Sequence, residues 1–494
     1  MLSLFAAASL RGEDKAPDEK ALTAALDELE KDLKAKKEEP GPALELLVNL
    51  AGKIPAKDAL VQVKEILRKN VPPMTALAVL LERAEETDSK KFAASFKKWA
   101  ADWKSPISGP TIYLSPDGKD EGSGSHKAPW KTLGYAAKTA PAGSTLVLHE
   151  GTYNEWVSCR KPLAIHAFPK ETPRLVAAPG ATSGPISLDP GADGSELVGL
   201  EIESVKGKFI EVNCKDALVE QCKIKGGLSL QAGSTRSIVS HCEVEGRGVA
   251  LWAHFTILQD CHIHDVELGG GATLCNGVLR ALVERNLIEN VGEGIQLGQA
   301  CVMTGYDTTD CVARNNVVLH TKGAGIVAAG SLRPRIENNT ILEVATERQG
   351  GIFLTGFWHG GDKPRQKTKD ATVVNNVIVA GGLYPVVALT PDTEGEPHFA
   401  NNCYFSAKGT PPFFDEALEK PFKGAFEEWK GQVPGGDAGS MVKAPGLQPD
   451  HSPGATSPCL HAGKALAGFV DDFSGHRRKS WDVGALALAE VPKK

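Results

Sequence analysis

The chain has 494 residues, with 55 Lys and Arg against 61 Asp and Glu, and a net charge of −6. That balance argues against a general nucleic-acid binder, and 41% apolar residues argue against disorder. No apolar run approaches the roughly 18–20 residues of a membrane helix, so no transmembrane segment is expected.

The first ten residues, MLSLFAAASL, are apolar and end on small residues, like the end of a secretory signal peptide. Residues 1–17 are expected to be a signal remnant or flexible tail, and the protein to be exported to the periplasm or beyond the cell. Leu22, Leu26, Leu29 and Leu33 then recur at helical spacing behind a candidate N-cap, Asp18. Amphipathic stretches follow at 43–53, 58–70, 74–86 and 89–104, punctuated by Pro40, Pro55 and Pro72–Pro73. Residues 18–105 should form a small α-helical bundle that packs on the rest of the chain or binds another protein. It holds no catalytic constellation.

A boundary falls at 106–110, because 49 of the 52 glycines come after residue 105. Beyond it an internal repeat appears, apolar–x–x–(Cys/Asn)–x–apolar. Its fourth positions are Cys222, Cys242, Cys261, Asn286, Asn316, Asn339, Asn376 and Asn402, spaced by 20, 19, 25, 30, 23, 37 and 26 residues. Leu200 fits one unit earlier. A period of this size with alternating apolar residues predicts a solenoid of short stacked strands, a parallel β-helix of about ten coils. The Asn positions predict a ladder, since Asn bonds its own backbone and the Asn in the next coil. Cys222, Cys242 and Cys261 fit the same inward slot as packed thiols.

Two units of the repeat are lengthened by loops at 298–310 and 357–370, and a third loop lies at 391–397. All three leave the same strand of the coil and should pile up on one side. Strand alternation turns Trp252, His254, Cys275, Gln296, Phe353 and Thr355 outward there. The loops add Tyr306, Asp307 and Asp310, then Trp358, His359, Asp362, Lys363 and Arg365, with Arg348 just ahead of the second. Aromatic faces with carboxylates and amides suit a sugar. Trp252, His254, Gln296, Tyr306, Trp358 and Arg365 are the candidate substrate contacts. A second constellation, His262 to Asp265 with Glu243, Glu245 and Glu289, reads as charge pairs on a solvated face rather than a metal site.

The opening TIYLSPDGKDEGSGSHKAPWKTLGYAAKTAPAGSTLVLHEGTY (111–153) resembles the entry of right-handed parallel β-helix proteins of the pectate-lyase-like superfamily. The tail motifs SPCLHAG, DFSGHRR and DVGAL resemble their closing segment. The resemblance covers 108–490. It implies a mainly β, right-handed single-stranded β-helix with a capping helix near 132–139, preceded here by the helical bundle. It further implies a polysaccharide partner and β-elimination from a uronic-acid polymer. In such lyases calcium neutralises the sugar carboxylate, which would fall to Asp307, Asp310 and Asp362. The base would be Lys363, Arg348 or Arg365, with His359 an alternative. The chain departs from the pattern at Thr355 and Gly356, where QGGIFLTG lacks the Arg–His pair of alginate and chondroitin lyases. A non-catalytic glycan-binding or surface scaffold and a glycoside hydrolase on the same fold are the alternatives.

Overall fold

In the computed structural model the described residues are 106–488, apart from 206, 300–304, 357–365, 407, 410, 467–470, 477 and 479. The helical bundle expected over 18–105 and the signal-like stretch lie outside them.

Each repeat closes one coil, and the repeat template is the corner between two strands. In one unit Arg335–Glu337 precedes the corner, Asn338 and Asn339 make it, and Thr340–Val344 follows. The residue before each ladder position turns the chain by adopting a left-handed conformation. Gln221, His241, Asp260, Arg285, Asn315, Asn338, Asn375 and Asn401 all have φ between 49° and 60°. Asn tolerates that region better than most L-residues, which is one reason the later corners read Asn-Asn.

Twelve parallel strands, from Thr111–Leu114 to His398–Ala400, stack in chain order into one sheet. The other two faces share a 20-stranded sheet, because strands such as His262–Leu274 and Leu287–Leu297 run continuously around their common corner. Five two-residue strands, from Val278–Leu279 to Thr393–Glu394, form a short third sheet. Among the described strands only Phe413–Asp415 and Phe422–Gly424 pair antiparallel, beside two isolated antiparallel bridges, Ser125 with Ala128 and Leu447 with Pro453. The first sheet has twelve strands rather than about ten because three precede the first unit that the template detects. At about 4.8 Å per step, this unit is on the order of 50 Å long.

The glycine excess has a steric cause at the shared corner. Gly271, Gly294, Gly325 and Gly351 occupy equivalent positions in successive coils. A Cβ there would meet Ile288 Cγ2, Val318 Cγ1, Ile341 Cγ2 and Ile378 Cγ2 at 2.4, 2.5, 2.3 and 2.6 Å respectively. Those methyl groups belong to the core column that fills the coil interior, so only glycine lets the backbone turn so close to it.

The Asn ladder is continuous. Asn286, Asn316, Asn339 and Asn376 each donate their backbone N–H and Nδ2 to Oδ1 of the next Asn, at 2.9–3.1 Å. Each Nδ2 also donates to a carbonyl of an earlier coil, as Asn339 does to Ala313 O at 3.0 Å. Asn402 ends the run by taking Ser440 Oγ as acceptor for its N–H. At the other end Cys261 N–H donates to Asn286 Oδ1, and Cys242 N–H to Cys261 Sγ. The three early thiols are buried in the same column.

Helix α1 (Leu133–Thr139) covers the first coils. Thr132 caps it by accepting from Tyr135 N–H, and Glu155 accepts from Leu133 and Gly134 N–H at 2.8 and 2.7 Å. At the far end of the chain, the closing segment runs back along the outer Asn column. Asn401 Nδ2 donates to Ala462 O, Asn375 to Lys464 O, Asn338 to Asp482 O and Asn315 to Asp471 O. Buried Arg478 fastens it with bonds to Asn315 Oδ1, Gly484 O and Ala485 O at 2.7–2.9 Å.

Candidate functional site

The inserted loops share one side. The strands that precede them pair in one column, Leu297 with Ala328, Ala328 with Leu354 and Leu354 with Leu389. The strands that close them, Thr308–Thr309, Thr368–Lys369 and Thr393–Glu394, all lie in the five-stranded sheet. Beside this column, outward residues stack in the order Thr273, Gln296, Val327, Phe353 and Ala388.

A polar network crosses this face. Gln296 accepts from Thr273 Oγ1 at 2.6 Å through Oε1 and donates its Nε2 to Glu293 Oε2. Gln349, two coils further on, donates Nε2 to Glu293 Oε1 at 2.9 Å, and its own Oε1 accepts from Ala324 N–H at 2.7 Å. Arg348 Nη2 lies 3.6 Å from the same Oε1, with its side chain 51% exposed against 13% for Glu293. Close glycines make the room. A Cβ on Gly270 would meet Gln296 Oε1 at 2.6 Å, and one on Gly323 would meet Gln349 Oε1 at 2.5 Å. The arrangement presents an anion held by two amides, with an exposed guanidinium beside it and an aromatic ring, Phe353, two coils from Gln296.

Of the residues expected from sequence, the structure brings Gln296 and Arg348 together through Glu293. Trp252 is half-buried, and its indole N–H is buried without a hydrogen-bond partner. His254 Nδ1 accepts from Leu279 N–H at 3.2 Å and so fastens a turn. Tyr306 is half-buried in its loop. Asp307 is fully buried and clamps the base of that loop, accepting from Asn276 and Gln299 N–H at 3.1 and 2.7 Å. Asp310 holds Arg333 in a two-bond pair at 2.7 and 2.8 Å. Both carboxylates thus have partners within the fold. Among the described residues no group of three His, Cys, Asp or Glu is arranged for a metal ion. Trp358, His359, Asp362, Lys363 and Arg365 lie outside the described residues.

Sequence reasoning missed Glu293, Gln349 and Thr273. Glu293 sits at the bend of the long strand Leu287–Leu297, where alternation breaks at Gly292 and Gly294, so parity gave no sign of its direction. The available signal was the doublet Arg348–Gln349 directly before a glycine pair and an outward strand.

The second constellation consists of charge pairs. His262 Nε2 meets Glu289 Oε1 at 2.8 Å and His264 Nδ1 meets Asp265 Oδ2 at 2.8 Å. Glu243 lies 3.5 Å from both His264 Nε2 and Lys223 Nζ. Burial works against a charged His264, but its bond and charge pairing with Asp265, then Glu243, prevail and raise its pKa. The hydrogen bond from His264 in turn lowers that of Asp265.

Residues 186–378 and 258–409 match the family model described as the right handed beta helix region. An uncharacterized Bacillus subtilis (strain 168) protein, YwoF, is 34% identical over 70 residues, which is 13% of this chain and 15% of that one. The chain thus spans only a small part of the length of that curated relative. Among solved structures, that of XylC with xylose is 12% identical with a TM-score of 0.45, covering 77% of this chain and 98% of that one. Pectate lyase Pel9A is 12% identical with a TM-score of 0.36, covering 78% and 98%. With its stacked parallel coils and the matched region running from 186 to 409, the chain carries a right-handed parallel β-helix.

Proposed function

We propose that the protein acts on a polysaccharide containing uronic acids, as a lyase, on the face that carries Arg348, Glu293 and Gln296. The observation behind this reading is the exposed guanidinium of Arg348 held beside Glu293, on the side where the long loops leave the coil. β-Elimination has three needs: a partner for the sugar carboxylate, a base for the C5 proton and a proton for the departing oxygen. In this reading Arg348 pairs with the carboxylate, and Glu293 and Gln349 fix its position. The base comes from the second loop, His359 or Lys363, with Trp358 and Arg365 binding flanking sugars. That base takes the C5 proton, the electrons of the C5–H bond form the C4=C5 double bond as the C4–O bond breaks, and the departing oxygen takes a proton from the protonated base or from solvent. Gln296, Thr273 and Tyr306 contact hydroxyls. The relatives' names, lyases among them, are in keeping with this reading, which includes export.

A non-catalytic glycan-binding protein is the second reading. Its support is that Glu293, Gln296, Asp307 and Asp310 are already engaged in hydrogen bonds, as orienting groups are. A panel of uronic-acid polymers, incubated with the protein with and without calcium, separates the two. A lyase releases unsaturated ends that absorb in the ultraviolet. A glycoside hydrolase releases reducing ends without that absorbance. A binder is retarded by the polymer in a gel and releases neither.

A further inference from the structure

Two cysteines meet where the closing segment returns over the coils. Cys403 starts the strand Cys403–Ser406, and Cys459 lies in the returning segment. Both are fully buried, in one small apolar cluster with Val377 and Val483. Both are free thiols in this structure. Cys403 Sγ also points at Lys443 O at 3.4 Å. Cys459 is fixed by its backbone: its N–H donates to Ser457 Oγ at 3.1 Å, and its carbonyl accepts from Val483 N–H at 2.9 Å.

This pair differs from the other adjacent thiols. Cys222, Cys242 and Cys261 occupy the same position in successive parallel coils, so their Cβ atoms point the same way about 4.8 Å apart. A disulfide wants Cβ atoms roughly 3.5–4.5 Å apart and converging. Cys403 and Cys459 come instead from two separate segments that meet in one packed cluster, so no parallel register holds their side chains apart.

We propose that Cys403 and Cys459 form a disulfide that staples the closing segment to its coil. The oxidant is a small disulfide of the glutathione class. One thiolate attacks it and releases one reduced thiol. The second cysteine then attacks the mixed disulfide and releases another. Two protons leave the protein, and its two electrons reduce the oxidant. Both sulfurs are sealed in the finished fold, so exchange takes place before the segment closes. The cross-link then holds the segment that covers Asn375 and Asn338.

The test refolds the full chain in a mixture of reduced and oxidised glutathione, alkylates it under denaturing conditions and maps the peptides by mass. The expected product carries alkyl groups on every cysteine except Cys403 and Cys459, which appear as one linked peptide pair. Reductant should lower the Tm of this protein by several degrees and leave that of Cys459→Ser unchanged. Free, alkylated Cys403 and Cys459 in the refolded wild type, or either residue linked elsewhere, overturns the proposal. Equal sensitivity of the wild type and Cys459→Ser to reductant also overturns it.

Discussion

Arg348 reaches back two coils to stand 3.6 Å from Glu293, and Gln349 beside it donates to the same carboxylate oxygen at 2.9 Å. A surface ion pair of this kind contributes little to stability, about 0–1 kcal/mol. Its consequence is positional: it holds a cation on the face flanked by the inserted loops. Glu293→Gln keeps the shape and removes the charge. It should leave Tm within a degree or two while weakening polymer binding severalfold, measured by retardation in a polymer-containing gel.

The ladder is worth more. Asn339 donates twice to Asn376 and once to Ala313 O, and accepts twice from Asn316, all in a buried column. Asn339→Ala leaves the Asn316 donors and the Ala313 carbonyl without a partner, at about 1–3 kcal/mol for each unsatisfied group. Chemical denaturation should show a loss of several kcal/mol. Asn339→Ser should recover only part of it, because one hydroxyl cannot replace an amide.

The corner glycines make a steric prediction. A Cβ on Gly294 would lie 2.2 Å from Gly325 O and 2.5 Å from Val318 Cγ1. Gly294→Ala must displace backbone or core and should cost at least about 1–3 kcal/mol. Gly269 has nothing within 4 Å of the equivalent point, although its φ of 101° still strains any side chain. Gly269→Ala should therefore cost less than Gly294→Ala in the same denaturation measurement.

Stability should also depend on pH through Asp437. This buried carboxyl accepts from Tyr404 Oη and Ser440 Oγ, and burial outweighs those bonds to push its pKa up to about 6 from 3.8. The folded state thus holds the proton more tightly than the unfolded chain. Between about pH 4 and 6 the unfolded state binds fewer protons, so this group makes stability fall as pH rises through that window and stay level above it. Asp437→Asn removes the group, and the slope of Tm against pH over that window should become less negative.

Much of the fold was legible because coil stacking repeats one local problem. The same corner needs a left-handed residue, an inward ladder residue and a strand, so Asn338–Asn339 and Asn375–Asn376 announce themselves in the sequence. The site was less legible. Gln296 follows from strand parity, but Glu293 lies on a bend where parity fails, and Gln349 reaches it only because two coils intervene. Asp307 and Asp310 looked like free acids, yet backbone N–H groups and Arg333 had already claimed them. Nothing in the local sequence distinguishes a carboxylate that closes a loop from one that awaits a ligand.

The most direct measurement compares wild type with Arg348→Met on the uronic-acid polymer that gives the strongest response, following ultraviolet absorbance of unsaturated ends. The wild type should give a signal, and the variant should lose at least about tenfold in kcat/KM at unchanged Tm. No unsaturated ends from the wild type on any polymer of the panel, or equal rates for the two proteins, would contradict it.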